Sequence, residues 1–261
     1  DREGELRVIF SGRFPDGCER YGMRRALRAG EAYNYGLFKG MWEAQGGRLD
    51  GQWRSRPASP AAIESRDPLM TFQSPPLSEV IRLVNKFSNN LMARHLLLTM
   101  GAEVFDRPAT RADGVRALRE WLARKGLDGA GLVVDNGAGL SREARISARQ
   151  MGALLLEARR SLFVSEFIAS MPLSAIDGTL RRRFESAGLV GRLHMKTGSL
   201  DHVSAIAGYA ISRSGREYVV VVMSNHEGAH RGPGDELQEA LIGWVVAAEP
   251  GASSAVPEGV R

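Results

Sequence analysis

The dominant hydrophobic period of this chain changes at Arg192, and that change limits its architecture more than any other feature. Before it, apolar residues recur at helical spacing; after it they alternate with period two. Helices are expected over Ala32–Gln45, where Tyr35, Phe38, Met41 and Trp42 share a face and Gly46-Gly47 is the stop, and over Leu77–Lys86, which Pro75-Pro76 starts. A third begins at Ser88 or Asn89 and runs to Met100, closed by Gly101, and a fourth covers Ala112–Lys125. Ser147 and Gln150 fit a capping box that opens a helix reaching about Arg159, and further helices are expected over Ser165–Met171 and Gly178–Ala187. Leu193–Thr197, Val203–Ser212 and Glu217–Ser224 then read as strands, with Gly215 in the turn between the last two, and Asp235–Ala248 returns as a helix. Helices first, then an antiparallel run, then a helix packed back on it make an α+β fold, an antiparallel sheet flanked by helices, rather than alternating βαβ units.

The remaining segments are shorter. Leu6–Phe10 and Leu132–Val134 alternate like strands, the second leading into the turn Asp135-Asn136-Gly137-Ala138-Gly139, while Tyr21–Leu27 is ambiguous. Gly51–Pro76 is an exposed connection rich in Pro, Ser and Arg, and 249–261 is a flexible polar tail. No apolar run exceeds Tyr218–Met223, far below the roughly 20 residues of a membrane span. The net charge of +5 is carried almost wholly by arginine interleaved with glutamate, which favours a solvated ion-paired surface over a nucleic-acid-binding one. Cys18 is the single cysteine, so neither an intrachain disulfide nor a cysteine-built zinc site is available.

Chemistry concentrates at Lys196-Thr197-Gly198-Ser199. On a strand, Lys196 and Gly198 point one way and Thr197 and Ser199 the other. A glycine at the third position removes the side chain that would block a ligand lying along the strand edge. The ammonium, the hydroxyls and the edge backbone then suit an anionic, peptide-like partner. Taken alone, the tripeptide also reads as a strand end running into a turn. Ser88-Asn89-Asn90 lies 108 positions upstream, and Ser88 taken alone reads as an N-cap. Together the two match the Ser-x-Asn and Lys-Thr-Gly signatures of active-site-serine enzymes; the third signature, Ser-x-x-Lys, is missing. None of the four lysines, Lys39, Lys86, Lys125 and Lys196, has a serine three positions before it.

Further stretches extend the match: Ser74-Pro75-Pro76-Leu77 leading to Asn85-Lys86-Phe87-Ser88-Asn89-Asn90, then Asp135 through Ser141, Asp177-Gly178-Thr179-Leu180, His194 through Leu200, and Val203 through Tyr209. In order and spacing the chain resembles, over about residues 6 to 246, the D-Ala-D-Ala carboxypeptidase/endopeptidase family of serine-type, low-molecular-mass penicillin-binding proteins. The resemblance implies a penicillin-binding, β-lactamase-like transpeptidase fold in the bacterial periplasm. Its partners would be peptidoglycan stem peptides ending in D-Ala-D-Ala, and β-lactams, with neither cofactor nor metal. It implies that Ser88 relays a proton to the departing D-alanine amine and that Asn90 bonds the substrate amide and helps hold a catalytic lysine. Lys196 would polarise Ser88 and attract the terminal carboxylate, which the Thr197 and Ser199 hydroxyls also bind. Gly198 would keep the edge open, and the Ser199 N–H would supply half of an oxyanion hole. Asn89 stands where aspartate is frequent in these enzymes.

The missing Ser-x-x-Lys leads to the expectation that residues 1–248 are the C-terminal portion of such a domain. Its partner would be the rest of the same protein, and it would be inactive in acyl transfer by itself. The alternative is a noncatalytic peptidoglycan- or partner-binding module. His226-Glu227-Gly228-Ala229-His230 matches the zinc-protease pattern in letters. That chemistry needs both histidines on one helix, however, and Gly228 with Gly232-Pro233-Gly234 makes the segment a strand-to-helix loop.

Overall fold

The change of period is realised as a three-stranded meander with helices against both faces. The computed structural model describes residues 9–13, 17, 30–57, 59, 67–68, 70–186 and 188–248. Two units are present, Asp1–Phe72 and Gln73–Arg261, divided inside the Pro/Ser/Arg-rich connection. Cys18, Tyr21–Leu27 and the tail from 249 lie outside the described residues, as does most of Leu6–Phe10.

In the first unit, α1 (Glu31–Ala44) follows Gly30 and stops before Gly46, whose φ of 82° a side chain would resist. Phe38 and Trp42, one turn apart, stack with ring centroids 6.2 Å apart. Among the described residues of α1 none is buried.

In the second unit, helices α2 (Leu77–Phe87), α3 (Asn90–Phe105), α4 (Arg111–Arg124), α5 (Ala148–Arg159) and α6 (Val164–Ser170) precede strands β1 (Leu193–Leu200), β2 (Val203–Ile211) and β3 (Glu217–Asn225), and α7 (Pro233–Ala247) follows. The strands pair antiparallel in the order β1-β2-β3, with Lys196 opposite Ala207 and Ala207 opposite Val221. Period two sorts their side chains into two cores. Leu193, Met195, Ile206, Ala210 and Val222 pack with Ile242 and Val246 of α7 on one face. Tyr209, Ala207, Val219 and Val221 pack with Leu155 of α5 and with Phe167, Ile168 and Met171 around α6 on the other. Each fully buried aliphatic chain contributes roughly 1.5–3 kcal/mol. Gly234 lets α7 approach β2 closely, since a Cβ there would stand 2.5 Å from Ser204 Cβ. The buried Ser204 hydroxyl in turn donates to Asp235 (3.0 Å) and accepts from Gln238 (2.8 Å).

The capping box at Ser147 forms with both bonds, and a second one, Thr110 with Asp113, opens α4. Three expectations are corrected. Gly101 does not end its helix: α3 continues to Phe105, and Gly101 is where α4 approaches, since a Cβ there would lie 2.7 Å from Gly114 N. Leu132–Val134 reduces to a single bridge, Val133 with Arg145. The helix expected over Gly178–Ala187 is only the 3-10 turn Gly178–Leu180, because Gly178 and Phe184 adopt φ of 55° and 61°, outside the right-handed helical region.

Candidate active site

The site lies where the α2–α3 turn meets the outer edge of β1. Two residues separate the helices. Ser88 closes α2 in the left-handed conformation (φ 53°, ψ 47°), and Asn89 caps α3, its side chain accepting from Met92 N at 3.1 Å. The capping role that the sequence allowed Ser88 thus belongs to Asn89. Released from it, the exposed Ser88 hydroxyl accepts a hydrogen bond from Lys196 Nζ at 2.9 Å, joining positions 108 apart in sequence. Asn90 is the first residue of α3 and half-buried; among the described residues no hydrogen bond joins it to Lys196.

Lys-Thr-Gly lies inside β1 rather than at its end, since the strand runs on through Ser199 to Leu200. The inner edge of β1 is taken by β2. On the outer edge, Leu193 N donates to Ser174 Oγ (3.2 Å) and Met195 N to the carbonyl of Pro172 (3.0 Å). By the same alternation Thr197 N–H and Ser199 N–H point outward beyond that cover, on an edge with no further strand among the described residues. A Cβ at Gly198 would meet only Ala205, at 3.8 Å, so the glycine leaves space above the strand.

Lys196 lies on the face packed by α5 and α6. Its ammonium donates to Ser88 Oγ and to the carbonyl of Thr197 (2.8 Å). Burial holds its pKa below the ordinary lysine range, and among the described residues no counter-charge opposes that effect. Beside it is a cavity of about 280 Å³ lined by Asn85, Met151, Leu155, Phe167, Lys196 and Gly198 among others. His194, two residues earlier on the same face, is held below its usual range by burial and by the Lys86 charge, against the opposing effects of the Ile168 carbonyl, Asp177 and Glu217.

Three residues assigned no chemistry in the sequence surround these groups. Lys86 is buried, although it lies in the last turn of an amphipathic helix, and its ammonium meets both Asp177 oxygens at 2.8 and 2.6 Å. Asp177 Oδ1 also accepts from Leu173 N at 2.8 Å. Burial pushes the Asp177 carboxyl up, but the Lys86 bond, the Leu173 N–H and the charges of Lys86 and Arg82 outweigh it and hold the pKa low. Thr197 Oγ1 donates to Thr179 Oγ1 at 2.9 Å. Both Lys86 and the Asp-Gly-Thr-Leu stretch stand within the matched stretches of the sequence, but nothing there marks Lys86 as buried.

The His226–His230 segment is a turn followed by the 3-10 turn Ala229–Arg231, so the two histidines do not share a helix. His230 Nδ1 accepts from His202 N at 2.8 Å, and His202 Nδ1 accepts from Gly228 N at 3.1 Å. These bonds hold the β1–β2 turn against the loop.

Residues 2–246 match the model of the D-Ala-D-Ala carboxypeptidase 3 (S13) family. A D-alanyl-D-alanine carboxypeptidase of Actinomadura sp. (strain R39) is 32% identical over 174 residues, which are 65% of this chain and 32% of the relative. Carboxypeptidase DacB of Mycolicibacterium smegmatis is 29% identical over 175 residues, 65% of this chain and 38% of that one. The chain therefore spans about a third of the length of these relatives. Among solved structures, penicillin-binding protein 4 of Haemophilus influenzae in complex with a β-lactam superposes with a TM-score of 0.75 at 22% identity, over 87% of this chain and 53% of that one. A predatory endopeptidase of Bdellovibrio bacteriovorus, in complex with an immunity protein, gives 0.54 at 18% identity, over 83% and 56%. The fold is that of a penicillin-binding protein, as the sequence led one to expect.

Proposed function

The chain belongs to the D-Ala-D-Ala carboxypeptidase 3 (S13) family, and from that premise we propose that it forms the substrate-binding wall and proton-relay side of a serine-type D-Ala-D-Ala carboxypeptidase. The observation that carries this reading is the Lys196 ammonium, withdrawn from water with a hydroxyl and a carbonyl for company but, among the described residues, no carboxylate. A desolvated cation without a counter-charge at an open strand edge suits the C-terminal carboxylate of a peptide that pairs along that edge. Thr197 and Ser199 hydroxyls assist it, Gly198 gives it room, and Asn90 bonds the substrate amide.

Chemistry on the bound peptide needs a nucleophilic serine. In the proposed reaction that serine attacks the penultimate carbonyl and the Ser199 N–H stabilises the oxyanion. The proton the nucleophile loses reaches Ser88, which, polarised by Lys196, passes one on to the departing D-alanine amine as the peptide C–N bond breaks. Water then releases the acyl group. Action on peptide cross-links is the same chemistry with a larger leaving amine. These 261 residues contain no Ser-x-x-Lys. The nucleophile would come from a further segment of the same protein seated beside Lys196, residues 1–248 and that segment forming one domain with 249–261 as its tail. The setting would be the bacterial periplasm; among the described residues no helix is long and apolar enough to cross a membrane.

Calorimetric titration of the chain with a stem peptide ending in D-Ala-D-Ala tests the binding half. The free carboxylate should bind about tenfold or more tighter than its C-terminal amide, a difference of about 1.4 kcal/mol that Lys196→Met should abolish. Equal affinity for acid and amide would reject the site. Incubation with a fluorescent penicillin should leave no covalent band. The missing signature also favours a second reading, a noncatalytic peptidoglycan- or partner-binding module. The coding sequence ahead of residue 1 separates the two, since a Ser-x-x-Lys helix there decides for the enzyme.

A further inference from the structure

We propose that the turn Asp177-Gly178-Thr179 is a positioning bracket that sets the distance between the Ser88 hydroxyl and the Lys196–Ser199 strand. What that distance serves rests on the function proposed above; the bracket itself rests on contacts alone. Three consecutive residues each grip a different part of the site. Asp177 takes the Lys86 ammonium on both oxygens and the Leu173 N–H on one. Gly178 fits against the Lys86 backbone so closely that a Cβ would stand 2.6 Å from the Lys86 carbonyl oxygen. Thr179 holds the Thr197 hydroxyl.

The levers are short. Lys86 is two residues before Ser88, and Leu173 is bridged to His194, two residues before Lys196. One carboxylate therefore holds the chain just ahead of both partners of the Lys196–Ser88 bond. Ser88 is a non-glycine residue in the left-handed region, a conformation that persists only where its surroundings over-determine it. Apolar packing is non-directional and would let α2 slide along the sheet, whereas an ammonium bonded to two oxygens fixes distance and direction together. Asn85, which donates to Ser170 Oγ at 2.7 Å, ties the same turn of α2 to α6 but reaches neither β1 nor Thr197.

Having four lysines makes the test direct, since each labelled side chain can be assigned by single substitution. The full chain, carrying lysine labelled at Cε, is titrated with base by NMR, and the Ser88 and Gly198 amide signals are followed. Thr179→Val and Asp177→Asn should each move both amides and shift the Lys196 midpoint up toward the ordinary lysine range, as Nζ leaves Ser88 for solvent. Thr179→Ser should restore the native pattern. Asp113→Asn, which weakens the capping box of α4, should destabilise the fold and change neither signal. The proposal is overturned if folded Thr179→Val leaves the Lys196 midpoint and the Ser88 amide unchanged, or if Asp113→Asn moves them equally. Should Asp177→Asn fail to fold, Thr179→Val decides alone. Adding the D-Ala-D-Ala peptide to the same samples separates the two readings. Loss of about tenfold in affinity confined to the bracket variants links the bracket to the site. No binding even to the native chain rejects the substrate reading and leaves the bracket result standing.

Discussion

Lys86 and Lys196 are both withdrawn from solvent within one site, and they are treated oppositely. Lys86 is 6% exposed and is answered by the two oxygens of Asp177. Lys196 is half-buried and is answered by a serine hydroxyl and a main-chain carbonyl, groups that solvate a charge without cancelling it. The first arrangement is closed, so its energy is spent on holding α2 against the 173–179 segment. The second is open: its burial disfavours the cation, and an incoming anion would relieve that penalty. The same residue type is ion-paired in one place and only hydrogen-bonded in the other, and the difference is the presence of one carboxylate.

The largest expected contrast is in stability. Asp177→Ala leaves a buried ammonium without its partner and should cost about 2–3 kcal/mol in urea unfolding. That is below the roughly 3–5 kcal/mol of a fully buried pair because the Asp177 side chain is 37% exposed. Lys196→Met, which removes an uncompensated buried charge, should change stability by less than about 0.5 kcal/mol or increase it. Comparable losses from the two substitutions would end the distinction.

Gly178→Ala comes next, at about 2 kcal/mol or more. It places an L-residue at φ 55° and drives a methyl group against the Lys86 carbonyl. A loss below about 0.5 kcal/mol would mean that the 177–179 turn can move away from α2.

Dependence on pH should separate the lysines further. Asp177 binds its proton more weakly in the folded than in the unfolded chain, so its stabilisation is present above the ordinary aspartate value of about 4 and fades as pH falls below it. Lys196 also binds its proton more weakly when folded, so stability should rise with pH from its depressed midpoint up to about 10.4. Tyr209 opposes this at the upper end. Burial and Glu217, partly offset by Arg159, push it up to about 12, so its contribution declines from about pH 10 to 12. Urea unfolding between pH 8 and 11 should lose its rising limb in Lys196→Met and keep it in Asp113→Asn, which leaves Lys196 in place.

The smallest effect is expected at Ser88. Ser88→Gly relieves about 1 kcal/mol of left-handed strain and forfeits a hydrogen bond worth about as much, so stability should stay within about 0.5 kcal/mol. Ser88→Ala keeps the strain and should lose about 1 kcal/mol. If glycine proved as costly as alanine, the hydroxyl would be holding the turn rather than waiting beside Lys196.

Much of the fold was legible because it is written in local periodicity. The alternation after Arg192 fixed which β-strand residues share a face, so Lys196 and Thr197 could be placed on opposite sides before any coordinates. Ser147 with Gln150 and the glycine at 215 act through bonds only a few residues long, and both proved correct. Legibility failed where the deciding partner was distant. Gly101 reads as a helix stop locally and is a helix-crossing point because Gly114 approaches it. Arg181 to Ala187 carries helical spacing, but the turn ahead of it is pinned by Asp177 to Leu173 and Lys86.

For the site, the sequence by itself determined the residue types and their local geometry: a lysine, two hydroxyls and a glycine on one strand, and a serine at a helix junction far upstream. Only the tertiary structure decided which lysine meets a carboxylate and which meets a hydroxyl and a carbonyl. Both carry the same charge in the sequence, and a counter-charge acts through space, over a few ångströms that no local spacing along the chain can specify.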